Sequence, residues 1–84
     1  MLIVECWYLN QNAQKAKAGE IRWDGKTFTV KDPSGRNLPE LLTNPVQLAG
    51  GQQVYSNEDP ELFMRSLHIE YHGSYFHCDP AKEV

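Results

Sequence analysis

Glu20-Ile21-Arg22-Trp23-Asp24-Gly25-Lys26-Thr27-Phe28-Thr29-Val30-Lys31 decides the fold, because two runs of alternating apolar and polar residues meet there at an Asp-Gly pair. Period-two alternation marks a strand with one covered face and one wet face, and Asp-Gly readily takes the positive φ angles of a two-residue type I′ hairpin turn. Counting outward from that turn pairs Trp23 with Lys26, Arg22 with Thr27, Ile21 with Phe28 and Glu20 with Thr29. Ile21, Trp23, Phe28 and Val30 then share the covered face, while Glu20, Arg22, Thr27, Thr29 and Lys31 share the wet one. A hairpin with one apolar face needs a second layer over it.

Upstream, Leu2-Ile3-Val4-Glu5-Cys6-Trp7-Tyr8-Leu9 is a strand whose apolar residues occupy both alternating sets. Leu2, Val4, Cys6 and Tyr8 fall on one side and Ile3, Trp7 and Leu9 on the other, so both sides call for cover, from the chain itself or from a second copy. Residues 10–19 are polar without a clean period, and a turn of helix over Ala13 to Ala18 is compatible with them.

Downstream, Asp32 to Arg36 is a loop by its Pro33 and Gly35, and a short helix follows with Asn37 as its cap, Glu40 at the third position and a stop at Asn44 before Pro45. Gly50-Gly51 divides two short runs into a second hairpin that places Val46, Leu48 and Tyr55 on one face. Asp59-Pro60-Glu61 opens the longer helix with a side-chain cap, a proline at the first position and a carboxylate at the positive end. That helix is predicted to run to about His72 with Gly73 as its cap, burying Phe63, Met64, Leu67 and Tyr71 and turning Arg65, His68 and His72 outward. The competing reading stops it near Leu67 and makes 68–78 a hairpin about Gly73-Ser74. Ser74 to Cys78 reads as a last short strand, and Ala81 to Val84 as a frayed end.

With 84 residues and nine aromatics there is room for one core, so the expectation is a single α+β domain over 1–84. Its form is a small antiparallel sheet of four to five strands packed against one longer helix and one short helix. A net charge of −3 describes an ordinary globular chain, although residues 1–36 carry six Lys/Arg against four Asp/Glu and residues 37–84 two against seven. The first strand is too short to span a membrane and lacks a basic leader, so the expected setting is cytoplasmic, with Cys6 and Cys78 reduced and no membrane contact.

Three chemistries are weighed on the remaining residues. His68 and His72, four apart on one helix face, together with His77 and Cys78 form the candidate metal set, with Asp79 adjacent. His68-Ile69-Glu70-Tyr71-His72 is not an HExxH motif, and no paired-cysteine knuckle is present, so solvated histidines explain the same residues. A ribonuclease-like acid–base site would use His68 or His72 with Arg65 as the anion holder. Nucleic-acid binding would use Lys15, Lys17, Arg22, Lys26, Lys31 and Arg36, with Trp23 as a stacking ring. Cys6 alternates with Val4 and Tyr8 on an apolar face and reads as packing, and Gly50-Gly51 lacks the Lys of a phosphate loop. None of these spacings is diagnostic. By elimination, the sequence reads as a small protein-interaction or regulatory protein without enzymatic activity or cofactor, whose partner is another protein or a second copy of itself.

Overall fold

The computed structural model of the chain describes residues 1–71, 73 and 75–84. Its elements are β1 (Leu2–Leu9), β2 (Lys15–Trp23), β3 (Phe28–Lys31), a 3-10 helix (Leu38–Thr43), β4 (Val46–Gln47), β5 (Gln53–Val54), α1 (Pro60–Glu70), β6 (His77–Cys78) and β7 (Lys82–Glu83). The architecture is α+β. A five-stranded antiparallel sheet runs β3-β2-β1, with β6 and β7 both pairing the far edge of β1, and β4 and β5 form a separate hairpin.

The β2–β3 hairpin keeps the expected faces but not the expected register. Trp23 pairs with Phe28, Arg22 with Thr29, Ile21 with Val30 and Glu20 with Lys31, which leaves Asp24 to Thr27 as the loop. The Asp24 carboxylate explains the longer connection: it accepts the backbone N–H groups of Lys26 and Thr27, both at 2.8 Å, and the Thr27 hydroxyl at 3.2 Å. An aspartate that supplies the turn's hydrogen bonds from its side chain replaces the tight two-residue turn. Because the partner moves by two residues, every side chain stays on its predicted side.

Residues 15–19 are strand, not a polar connection with a turn of helix. Asn10 closes the β1–β2 turn early, its side-chain oxygen accepting the N–H groups of Asn12 and Gln14 at 3.0 Å. The chain therefore returns beside β1 at Lys15, and a β-bulge follows, with Trp7 opposite Lys17 and Cys6 opposite Gly19. The extra residue lets Ala18 and Gly19 both be buried while Lys15, Lys17, Glu20 and Arg22 remain on the outer face.

The core lies between the inner face of this sheet and α1. Val4, Cys6 and Ile21 meet Phe63, Met64 and Leu67, with Leu38 and Leu41 from the 3-10 helix, Val46 and Val54 from the small hairpin and Phe76 closing the edges. In that hairpin Val54 pairs with Val46 and is buried, whereas Tyr55, expected on the covered face, is exposed. Ser56 donates to the Leu42 carbonyl at 2.9 Å and ties the hairpin to the 3-10 helix.

Three terminations also differ from the sequence reading. Asn37 adopts a left-handed φ of 62° and makes no side-chain cap bond; instead the Asp32 carboxylate accepts the N–H of Arg36 at 3.1 Å and of Leu38 at 3.2 Å. Helix α1 starts as expected, with Asp59 accepting from the Leu62 N–H at 3.2 Å, but it ends at Glu70 rather than at His72 or near Leu67. Tyr71 turns to extended backbone so that its ring stacks on Phe76 at 5.3 Å, and Gly73 leaves room for that ring, since any Cβ there would collide with it. His72 and Ser74 lie outside the described residues. The last four residues are not a frayed end: Lys82 and Glu83 pair with Ile3 and Leu2, and Val84 donates to the Met1 carbonyl at 2.8 Å. Among the described residues no helix is long and apolar enough to cross a membrane.

Candidate functional site

Strand parity puts Ile3, Glu5, Trp7 and Leu9 of β1 on the outer face of the sheet, beside Lys17, Glu20 and Arg22 of β2, His77 of β6 and Lys82 of β7. Among the described residues no helix covers this side, so its charges and rings must satisfy one another. Glu5 stands directly opposite Glu20, a like-charge arrangement that costs stability unless cations offset it. They do: Lys82 reaches Glu5 at 3.3 Å, Lys17 reaches Glu20 at 3.4 Å, and Arg22 bonds Glu20 as well.

The Arg22 guanidinium, aided by Lys17, holds the Glu20 carboxyl below the usual carboxylate range. A depressed folded pKa means that the stabilisation is present above the unfolded value of 4.5 and drains as pH falls below it toward the folded value. Glu20→Gln is therefore expected to flatten the acid limb of the melting-temperature profile below pH 4.5 and to lower the melting temperature at neutral pH. Melting curves collected across that range by circular dichroism check this, and parallel acid limbs for the two proteins would contradict it.

Trp7 has three partners on this face. Its indole N–H donates to the Asp79 carboxylate at 2.9 Å, the His77 ring stacks on it at 4.6 Å, and the Lys15 ammonium lies 4.6 Å from the ring centroid. Lys15 also pairs with Asp79 at 3.6 Å. These partners, rather than a second layer, partly cover the other side of β1, leaving Ile3 and Trp7 half-buried. Two residues along the chain from Trp7 and His77, Leu9 ends β1 and Tyr75 precedes β6, and they are 58% and 68% exposed. A little further along, Arg36 sits 3.7 Å from the centre of the Tyr8 ring and donates to the Tyr75 carbonyl at 2.9 Å.

Beside Tyr75 opens a cleft of about 330 Å³ between the 3-10 helix, β4 and the segment after α1. Leu41, Val46 and Phe76 contribute its apolar lining, with Arg36, Glu40 and Glu70 its charged groups. Its volume is at the small end for a ligand pocket, about the size needed to seat one large side chain.

The six cations weighed for nucleic acid are only partly brought together. Lys15, Lys17, Arg22 and Lys31 share the outer face, Lys26 is in the β2–β3 loop, and Arg36 is committed to Tyr8 and Tyr75. Trp23 is on the core side, its ring 4.6 Å from Phe28, so it is not available beside those cations. Three of the four on the face already pair with Asp79 or Glu20, and the Trp7 ring carries His77 and Lys15.

Of the histidine candidates, His68 and His77 are described, and they lie on different elements. His68 is exposed on α1 beside Arg65, which pairs with Glu61 at 3.2 Å and Glu83 at 3.6 Å. His77 lies on the outer face against Trp7, while Cys78, its neighbour in β6, faces Cys6 on the core side. His72 is outside the described residues. Among the described residues no group of three or more His, Cys, Asp or Glu is arranged to hold a metal ion.

The Trp7, His77 and Asp79 cluster was not visible as a site in the sequence. The one signal was the second apolar set of β1, which marked Trp7 and Leu9 as needing cover without naming what supplies it. Comparison with protein-family models, with curated proteins and with solved structures finds no match for this chain.

Proposed function

We propose that this chain is a protein-interaction module, and that its contact surface is the Trp7–Leu9 end of the outer sheet face together with Tyr75. The supporting observation is a pair of exposed large apolar side chains, Leu9 and Tyr75, beside a platform that Trp7 holds in place through a hydrogen bond, a stacked ring and a cation. Binding energy at protein interfaces concentrates in aromatic positions such as Tyr75. An anchor already fixed in the unbound protein loses little conformational entropy on association. The exposed Leu9 and Tyr75 favour a partner whose contact is apolar at its centre. The adjoining cleft suits one inserted side chain of that partner.

The test is affinity capture of polypeptides from source-cell extract on the wild-type protein, on Leu9→Ser and Tyr75→Ser, and on Ile69→Ser, whose side chain is exposed on α1 across the molecule. The expected result is one stoichiometric polypeptide held by wild type and by Ile69→Ser, and bound roughly tenfold or more weakly by the other two. Light scattering on the same proteins identifies a second copy as the partner if wild type is a dimer and the Leu9 and Tyr75 variants are monomers. Equal capture by all four proteins, or capture abolished by Ile69→Ser alone, would place the interaction elsewhere.

A further inference from the structure

We propose that Cys6 and Cys78 form an oxidation site, a facing dithiol that closes into a disulfide across β1 and β6 and reopens on reduction. The inference is independent of the interaction surface and rests on strand register. Cys6 of β1 lies directly opposite Cys78 of β6, and Trp7 lies opposite His77. One step along, Asp79 donates its N–H to the Glu5 carbonyl at 2.8 Å. Antiparallel neighbours alternate between hydrogen-bonded and non-hydrogen-bonded pairs, so Cys6 and Cys78 form a non-hydrogen-bonded pair, the kind with Cα atoms about 4.5 Å apart. That spacing lies within the roughly 4.4–6.8 Å that a disulfide spans. Both thiols are free, and both side chains belong to the core side of the sheet. The Cys6 thiol hydrogen-bonds the Cys78 sulfur, and this contact together with burial pushes the Cys6 thiol up.

Exposure divides the roles. Cys78 is half-buried and reachable by a small oxidant, whereas Cys6 is 1% exposed and shielded from it. With a hydroperoxide as oxidant, the Cys78 sulfur attacks the terminal peroxide oxygen, the O–O bond breaks, and Cys78 becomes a sulfenic acid while the departing oxygen takes the proton given up by the thiol and leaves as water or an alcohol. The Cys6 sulfur then attacks the Cys78 sulfur, an S–S bond forms, and the hydroxyl departs with the Cys6 proton as water. Two thiols are oxidised by two electrons and one peroxide is reduced. A small dithiol reverses the step by thiol–disulfide exchange at Cys78. The product ties β6, which carries His77, and the adjoining Asp79 covalently to the strand that carries Trp7.

The experiment treats the 84-residue chain with near-stoichiometric hydrogen peroxide. Expected are loss of both titratable thiols, an intact mass lower by two hydrogens and a monomer on non-reducing electrophoresis. The melting temperature should rise by on the order of 10 °C, since the bridge closes most of the chain into one loop, and dithiothreitol should restore the starting state. Cys78→Ser and Cys6→Ala should each abolish the rise. The wild-type measurement decides the matter whether or not the variants fold. Retention of both thiols, addition of oxygen to Cys78 with the Cys6 thiol intact, or an intermolecular dimer would each overturn the proposal.

Discussion

Phe63→Ala is expected to destabilise the protein by about 3–5 kcal/mol, the range for removing a fully buried phenylalanine and leaving a cavity. Phe63 has no exposed surface, and its ring meets Phe28 edge-on at 6.3 Å, while Phe28 in turn packs on Trp23 at 4.6 Å. One side chain therefore couples α1 to both strands of the β2–β3 hairpin. Total stability for a chain of this size is on the order of 4–13 kcal/mol, so the loss takes a large share of it. Urea unfolding monitored by Trp fluorescence measures the effect. A change under about 1 kcal/mol would mean that α1 does not sit on this hairpin.

Gly19→Ala is expected to destabilise by roughly 3 kcal/mol or more, against the usual modest gain when a glycine in relaxed backbone is replaced. The cause is contact rather than chain entropy. A Cβ on Gly19 would run into the Lys31 carbonyl oxygen and stand 2.9 Å from a Leu38 methyl, so the end of β3 and the start of the 3-10 helix would both have to move. A backbone carbonyl cannot swing aside as a flexible side chain can. Gly50→Ala supplies the contrast, because nothing lies within 4 Å of its added methyl, and it should be neutral or slightly stabilising. Equal denaturation midpoints for the two variants would show that Gly19 does not carry this close approach.

Gly19 also illustrates what a one-dimensional reading misses. In the sequence it closes a polar stretch; in the fold it sits inside β2, next to a bulge, under a carbonyl 12 positions away. The bulge breaks the alternation across residues 15–20, so no periodicity revealed the strand. Gly73 is similar, since its meaning as clearance for the Tyr71 ring exists only once Tyr71 has left the helix to reach Phe76. The side chains of Asp24 and Asp32 moved a register and a cap in ways that residue preferences do not reveal, because each carboxylate had several backbone N–H groups within reach and geometry chose among them.

For the candidate site, Trp7 and Leu9 were legible as an apolar set needing cover, and Lys15 and Lys17 as cations. That His77 and Asp79 gather on Trp7 was not legible, because residues more than 60 positions apart meet only when β6 pairs with β1. The same pairing aligned Cys6 with Cys78.

By itself the sequence determined the α+β class, the covered face of Ile21, Trp23, Phe28 and Val30, and the start of a helix at Asp59, because period-two and helical patterning and capping act over a few neighbouring residues. Tertiary structure alone decided the strand order, the register of β6 and β7 on β1, the end of α1 and the surroundings of Trp7. These depend on which distant segments share one core and one sheet edge, a choice made by packing and hydrogen-bond satisfaction across the whole chain.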